Sequence, residues 1–554
     1  MPTLDVSYRD LCNLIGKRID REELRNKAVM FAKGEIDEIN EDEMKIDEKD
    51  TNRPDLWSTE GIAREIAGRY GKKGLPKYTT EPSGLVVKVD ESVSKVRPFT
   101  VCAVVRNLNI TEDLLIQTIQ LQEKVAGTYG RNRQDVAIGV YDYNKIKGKV
   151  NYKAYKPNEL KFIPLEFNEE LTLSEILEKH PKGMDFAHLL KGKEKYPIFI
   201  DDAGNVLSMP PVINSNYTGK VTENTTDVFI ECSGFNLDAL KPALNVLVCA
   251  LADRGGRIQT VDVIYKNETI KTPDLKPKTK TANKDYIKSI TGIDLSDKEI
   301  KDLLEQARYD VTEITKNEVK VEYPAYRQDI MHERDVIEDI LISKGYNEIE
   351  PVPVSMETKG SLLKPQGITN KVAEVMVGLG LQEILSYTLT NKENLLKKME
   401  RKDSPICELE NPVSMTWSVF RDSLLPGILE FFSNNKHHEI PQKIFEIGNC
   451  IIPDSRSETK YRDNLSLACG ITAREVSYEE IASILDAFMR TTGIGYKFKK
   501  TENGIFIKGR CAEIINNGRS VGTLGEINPQ VLNNWGIENP VIGFEIDLDF
   551  VFKK

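Results

Sequence analysis

The sequence predicts an α+β protein of several domains, on three observations. At 554 residues the chain is far longer than one hydrophobic core organises, given about 100–200 residues per domain. Short apolar runs that read as strands alternate with segments of helical periodicity along its whole length. A polar, proline-punctuated connector, Lys271-Thr272-Pro273-Asp274-Leu275-Lys276-Pro277-Lys278, and the proline pair of Pro351-Val352-Pro353 interrupt that alternation. The boundaries that follow give units at 1–90, 91–268, 269–350 and 351–554.

In the first unit, the acidic run from Glu35 to Glu43 reads as a solvated strand and turn. Pro54 turns the chain, Ser58 or Thr59 can cap a helix, and Ile62, Ile66 and Tyr70 recur at helical spacing on it. Lys72-Lys73-Gly74-Leu75-Pro76 stops that helix. The second unit is mixed α/β. Phe99–Val105, Ala137–Asp142, Pro197–Ile200 and Val228–Glu231 read as strands, Leu114–Val125 as a helix, and the apolar stretch Leu244–Leu251 as a core helix. The third unit has helices from Asp297 and from about Asp335 around a strand at Glu318–Glu322, a winged-helix-like pattern. The last unit alternates helix and strand. Gly378-Leu379-Gly380 within it marks a turn, being too short for a dinucleotide fingerprint.

Composition narrows the class. No apolar run approaches the ~18 residues of a membrane helix, and the first residues have no basic segment followed by an apolar core, so a cytoplasmic location is expected. Eight scattered cysteines without close pairs suit reduced thiols rather than a disulfide framework or a zinc ribbon. The five histidines have no ligand spacing, which makes surface or supporting roles their default. A net charge of −10 disfavours a general nucleic-acid coat, so any RNA contact must come from local basic patches.

The sharpest local pattern lies between Tyr326 and Ile340. On a helix, Asp335, Glu338 and Asp339 stand at i, i+3 and i+4, with Val336, Ile337, Ile340 and Leu341 on the buried side, and Asp329 precedes them in the approach loop. Four converging carboxylates require a hard cation such as Mg²⁺ or Ca²⁺; alternatively they form a solvated acidic face salted by Arg327 and Arg334.

Pro324-Ala325-Tyr326-Arg327-Gln328-Asp329-Ile330, followed by Asp335-Val336-Ile337-Glu338-Asp339-Ile340 and Gly345-Tyr346-Asn347, resembles the signature of the central small domain of phenylalanyl-tRNA synthetase β subunits of the archaeal and eukaryotic-cytosolic type. The likeness extends along the chain. Asn52-Arg53-Pro54-Asp55-Leu56 resembles the family's first domain. Gly130-Arg131-Asn132-Arg133 and Leu207-Ser208-Met209-Pro210-Pro211 resemble its editing domain. Asn411-Pro412-Val413-Ser414 through Arg421, Phe445-Glu446-Ile447-Gly448 and Gly525-Glu526-Ile527-Asn528-Pro529 resemble its last domain.

The resemblance implies Mg²⁺ held by Asp329, Asp335, Glu338 and Asp339, with Asp339 standing where bacterial relatives carry Glu. It implies an editing site with Phe199 on its wall, Ser208 beside the substrate, and Glu231 and Ser233 at its polar end, where the archaeal pattern has Leu, Asp and Thr at the first, third and fourth of these positions. It implies a last domain with the antiparallel sheet of class II synthetases but without their chemistry. Phe420-Arg421-Asp422-Ser423 has Ser423 where the motif wants Glu, and Gly543–Leu548 lacks a closing arginine. The implied partners are a catalytic α subunit, in an α2β2 heterotetramer that uses ATP at α, and tRNA(Phe), with no membrane. A free-standing hydrolase of mischarged tRNA and a nucleic-acid-binding winged helix are the competing readings. The ~200-residue interface-like end argues against the first, and the net acidity against the second.

Overall fold

The computed structural model describes residues 2–356 and 358–552. The chain divides into two compact units, Met1–Pro353 and Val354–Lys554.

The first unit begins with a small antiparallel sheet in which Glu43–Glu48 lies between Thr3–Ser7 and Gly34–Asn40. The acidic run falls on the last of these strands and the turn after it. Alternate residues Gly34 and Ile36 face inward while the carboxylates face water. The helix Thr59–Arg69 packs beside this sheet, and Ser58 is its cap, accepting a hydrogen bond from the Gly61 amide at 3.1 Å.

A ten-stranded mixed sheet dominates this unit. Its order is Ile213–Asn214, Val206–Met209, Tyr196–Asp201, Val150–Tyr155, Thr80–Val89, Arg257–Ile264, Phe99–Arg106, Val228–Gly234 and Val136–Asp142, with Thr269–Thr272 added beside Arg257–Ile264. Two of these strands cross the boundaries drawn from sequence. Thr80–Val89 pairs in parallel with both Arg257–Ile264 and Val150–Tyr155, so the chain enters the large sheet before residue 90, and Thr269–Thr272 leaves it after 268. The helix Leu237–Asp253 is longer than its apolar centre suggested because Asn236 caps it upstream. It covers the Phe99–Arg106 and Val228–Gly234 strands with a continuous buried stripe including Leu240, Leu244, Leu247 and Leu251.

The winged-helix-like portion has three strands, Lys278–Asn283, Glu318–Tyr323 and Asp310–Ile314, with Glu318–Tyr323 central. Helices Lys284–Thr291, Asp297–Gln306 and Glu333–Lys344 surround it. The last starts two residues earlier than its periodicity indicates. His332 is the N-cap, and its backbone amide donates to the Asp335 carboxylate at 2.6 Å, completing a capping box.

The second unit is built on a seven-stranded sheet that is antiparallel except for the short strand Gln382–Glu383, parallel to Gln442–Pro453. Helices Lys364–Gly378 and Tyr478–Thr492 share a core with the sheet strands, and Leu425–Asn434 and Pro529–Trp535 share a second. No helix among the described residues is long and apolar enough to cross a membrane.

In the first unit, Asn245 on the central helix ties three segments together. Its buried amide donates to the Asp274 carbonyl at 3.0 Å and to the Ala325 carbonyl at 3.1 Å. Asn245→Ala should leave both acceptors unpaired and destabilise this unit by ~1–3 kcal/mol, seen as faster amide exchange by mass spectrometry around residues 272–275 and 324–327.

Candidate functional site

The Val228–Gly234 strand is paired along its whole length on both edges and every residue of it is buried. Glu231 sits at its middle, opposite Cys102 on one neighbour and Gly139 on the other. It faces a cavity of about 380 Å³ together with Ser208; Ile138, Val140, Pro210 and Val212 supply apolar walls. A hydroxyl that neither residue owns joins them. Tyr141 Oη lies 2.7 Å from Ser208 Oγ and 3.1 Å from Glu231 Oε1. Glu231 Oε2 is buried and has no hydrogen-bond partner. Burial pushes the Glu231 carboxyl up to about 8, against the opposing influence of the Arg97 charge and of the hydrogen bond from Tyr141. At neutral pH it is mainly a neutral acid, able to give or accept a hydrogen bond.

The other two residues expected here do not reach the cavity surface. Phe199 pairs with Ser208 across the strands, but its ring is fully buried and stacks on Tyr152 at 4.2 Å in the apolar core. An aromatic ring gains more from that stack than from a half-wet wall. Ser233 is buried too, its Oγ accepting from Arg97 Nε at 3.2 Å.

Arg97 is the hidden organiser of the cavity rim. Its guanidinium also donates to the carbonyls of Gln134 at 3.1 Å and Arg133 at 3.2 Å. These bonds hold a loop in which Arg131, Asn132 and Arg133 all adopt positive φ, of 47°, 53° and 65°. The loop sets Arg133 at the cavity, where it donates to the Val212 carbonyl at 3.0 Å, pairs with Glu123 at 2.9 Å and lies over the Phe186 ring. His180, itself buried, also lines the cavity. Its Nδ1 accepts from the Lys182 amide, so Nε2 carries the proton directed at the Leu165 carbonyl, 3.1 Å away. The sequence hinted at His180 only through Pro181, which opens a short helix that the histidine caps.

The four acidic residues of the small domain do not converge. Asp329 and Asp339 both bind Arg327, the former through two hydrogen bonds and the latter at 2.8 Å, and Asp339 also accepts from the Tyr309 hydroxyl at 2.6 Å. Asp335 is used by the helix cap. Glu338 is exposed and pairs with Lys33, which also binds Asp50 at 2.7 Å. Arg53 packs alongside, with bonds of 2.9 and 2.8 Å to Asp55, 3.1 Å to Glu65 and an ion pair of 3.8 Å to Asp329. Burial alone would raise the Asp339 carboxyl, yet Arg327, with Arg53, Lys33 and Tyr309 behind it, holds it well below the usual range. Asp329 is lowered in the same way, burial being outweighed by Arg327 and Arg53. Among the described residues no group of three or more acidic, His or Cys side chains is placed to hold a metal ion. The donors therefore do not fit one six-coordinate Mg²⁺, because guanidinium groups already occupy the space and neutralise the charge.

In the second unit, the arginine of the Phe420-Arg421-Asp422 segment is buried and turned inward. Arg421 binds Glu446 at 2.6 Å, Ser386 Oγ at 2.9 Å and the Asn449 carbonyl at 3.0 Å. A Cβ at Gly448 would overlap its guanidinium. Ser423 donates to Glu545 at 2.6 Å, and the amides of Leu424 and Leu425 converge on the same carboxylate.

Three family models match the chain: the B3/4 domain over residues 117–244, the tRNA synthetase B5 domain over 280–346, and the phenylalanyl tRNA synthetase beta chain CLM domain over 349–548. They place the chain among proteins assembled from aminoacyl-tRNA synthetase domains. Full-length relatives narrow this. The chain is 48% identical to the phenylalanine–tRNA ligase beta subunit of Pyrococcus horikoshii over 99% of both chains, and 38% identical to that of Archaeoglobus fulgidus over 100% and 99%. A crystal structure of an N-terminal fragment of the phenylalanyl-tRNA synthetase beta subunit from Pyrococcus horikoshii is 51% identical and superposes with a TM-score of 0.61, covering 62% of this chain and 100% of that fragment. The chain belongs to the phenylalanine–tRNA ligase β-subunit family.

The buried arginine cluster makes a measurable claim. Arg327→Met should remove the only ion pair that Asp339 makes among the described residues, leave Asp329 with the longer pair to Arg53, and destabilise the first unit by ~3–5 kcal/mol, measured by amide exchange. Because both carboxyls are held below their ordinary value of 3.8, the stabilisation is complete above that pH and disappears as pH falls through the lowered values. The gap between variant and wild type should therefore be widest near neutrality and narrow in acid.

Proposed function

We propose that this chain is the proofreading and assembly partner of a catalytic α subunit, in an α2β2 phenylalanine–tRNA ligase working in the cytoplasm on tRNA(Phe). In this reading the cavity at Ser208 and Glu231 hydrolyses tyrosyl-tRNA(Phe), while α joins phenylalanine to tRNA. ATP, with the Mg²⁺ that accompanies its phosphates, belongs to α. The observation that carries the proposal is the buried, unpartnered Glu231 Oε2 beside a cavity of about 380 Å³ with apolar walls. A synthetic site shaped for phenylalanine rejects an isostere with one added hydroxyl by only about 10²-fold. A site that hydrogen-bonds the hydroxyl discriminates in reverse by ~10⁴–10⁵. Water then adds to the ester carbonyl, the bond to the ribose oxygen breaks, and tyrosine and free tRNA leave. Phe199 and Ser233 support the site from the core, shaping the floor and the Arg97 anchor without touching substrate.

Arg421 supports the division of labour. Class II chemistry needs an arginine free to clamp ATP phosphates, and here the side chain is neutralised internally by Glu446. The chain alone should therefore fail to charge tRNA with phenylalanine, and charging should appear when α is added. Robust charging by the isolated chain would overturn this assignment.

Glu231→Ala should weaken binding of the tyrosyl group by ~1–3 kcal/mol and slow hydrolysis of preformed tyrosyl-tRNA by the assembled enzyme, while phenylalanine charging is unchanged. Equal hydrolysis by variant and wild type would remove Glu231 from the site.

A further inference from the structure

We infer that Tyr141 is a specificity-determining positioning residue of this cavity: its hydroxyl fixes Glu231 Oε1 and so commits Oε2 to a hydroxyl on the amino-acid side chain of the bound ester. The inference rests on the proofreading reading.

Tyr141 is fully buried, and its ring lies 5.8 Å from that of Phe229. It lies outside the cavity lining but behind both polar residues of the floor. Its position depends on a glycine two residues earlier on the same strand. Gly139 pairs directly with Glu231, and a Cβ there would overlap the Tyr141 hydroxyl. The missing side chain lets the phenol lie along the strand and reach the carboxyl, placing Oη between Ser208 Oγ at 2.7 Å and Glu231 Oε1 at 3.1 Å.

The proton count decides what remains. A phenol has one proton to give and can accept in return. If Tyr141 donates to Ser208, the protonated Oε1 of Glu231 donates to Tyr141, and Oε2 is left as an acceptor. If Tyr141 donates to Oε1, Ser208 donates to Tyr141, and Oε2 carries the acid proton as a donor. In both arrangements Oε2 is the atom left unsatisfied. A ligand hydroxyl completes either one, whereas a plain phenyl ring leaves a buried polar atom unpaired. Without Tyr141, the carboxyl could rotate and satisfy itself on Ser208, and the demand for a ligand hydroxyl would relax.

The test uses the assembled α–β enzyme and two preformed esters, tyrosyl-tRNA and phenylalanyl-tRNA. Tyr141→Phe keeps the ring and removes the hydroxyl. It should lower kcat/KM for tyrosyl-tRNA by about tenfold, chiefly through KM, and not lower phenylalanyl-tRNA hydrolysis, which rises if the carboxyl satisfies itself, so the preference between the esters falls. Gly139→Ala, which displaces the same hydroxyl, should lower that preference too. Phenylalanine charging by each variant checks that assembly is intact. Unchanged preference in Tyr141→Phe, or an equal loss on both esters, would overturn the inference. Glu231→Ala, run in parallel, separates the two levels. If it abolishes tyrosyl-tRNA hydrolysis while Tyr141→Phe keeps the wild-type preference, the site stands and the role of Tyr141 falls. If it has no effect, the site and the inference fall together.

Discussion

Two fully buried arginines, Arg53 and Arg327, impose the constraint on which the first unit depends. Neither can be desolvated alone, and as like charges they also repel. The solution is a shared set of carboxylates: Asp55 and Glu65 on Arg53, Asp329 and Asp339 on Arg327, with Asp329 reaching both. Guanidinium suits this role because its planar fork meets carboxylates in pairs, which a lysine could not do. Arg53 follows the N-terminal sheet and Asp329 enters the small domain, so the 3.8 Å pair between them links two distant parts of the chain, while the other carboxylates neutralise each arginine locally. Asymmetric pairs at the periphery extend the same logic. Arg254 on the central helix side meets Asp10 at 2.6 and 2.7 Å, and Arg64 meets Asp253 at 2.7 Å.

Much of this was legible in the sequence, and the remainder was hidden for physical reasons. Strands and helices around residues 99–142 and 228–264 announced themselves by apolar runs of the right length. The carboxylates at Asp329, Asp335, Glu338 and Asp339 were visible as a pattern and Arg327 as a nearby counter-ion, but Arg53 and Lys33 were not, because they arrive from the far end of the chain. Asp335 was ambiguous for another reason. A capping box led by His332 rather than serine or threonine does not stand out.

The cavity divided in the same way. Ser208 and Glu231, both implied by the resemblance, line one cavity and are bridged by the Tyr141 hydroxyl. The resemblance put Phe199 on a wall, and a strand with apolar residues on both faces gives no signal to correct it; the stack on Tyr152 shows the ring in the core instead. Gly139 and Tyr141 read from sequence as ordinary residues of a buried strand. Only the register opposite Glu231 reveals what the glycine makes room for. In the second unit, Ser423 in place of glutamate was a sequence signal. The inward turn of Arg421 onto Glu446 required the fold, since Arg421 lies just past the short strand Val419–Phe420 and Glu446 lies within the strand Gln442–Pro453.

The carboxyl of Glu231 is mounted on a strand hydrogen-bonded along both edges, in the interior of a ten-stranded sheet. Such a mount has almost no give. Loops can adapt to what enters them, but this strand holds its carboxyl in place in a cavity also lined by Arg133 and His180. In the proofreading role proposed for it, the cavity would work as a gauge of the distance from the bound ester to a hydroxyl meeting Glu231. A hydroxyl carried on a shorter side chain would then miss the carboxyl as surely as no hydroxyl at all, and chain length and chemistry would be read in one step.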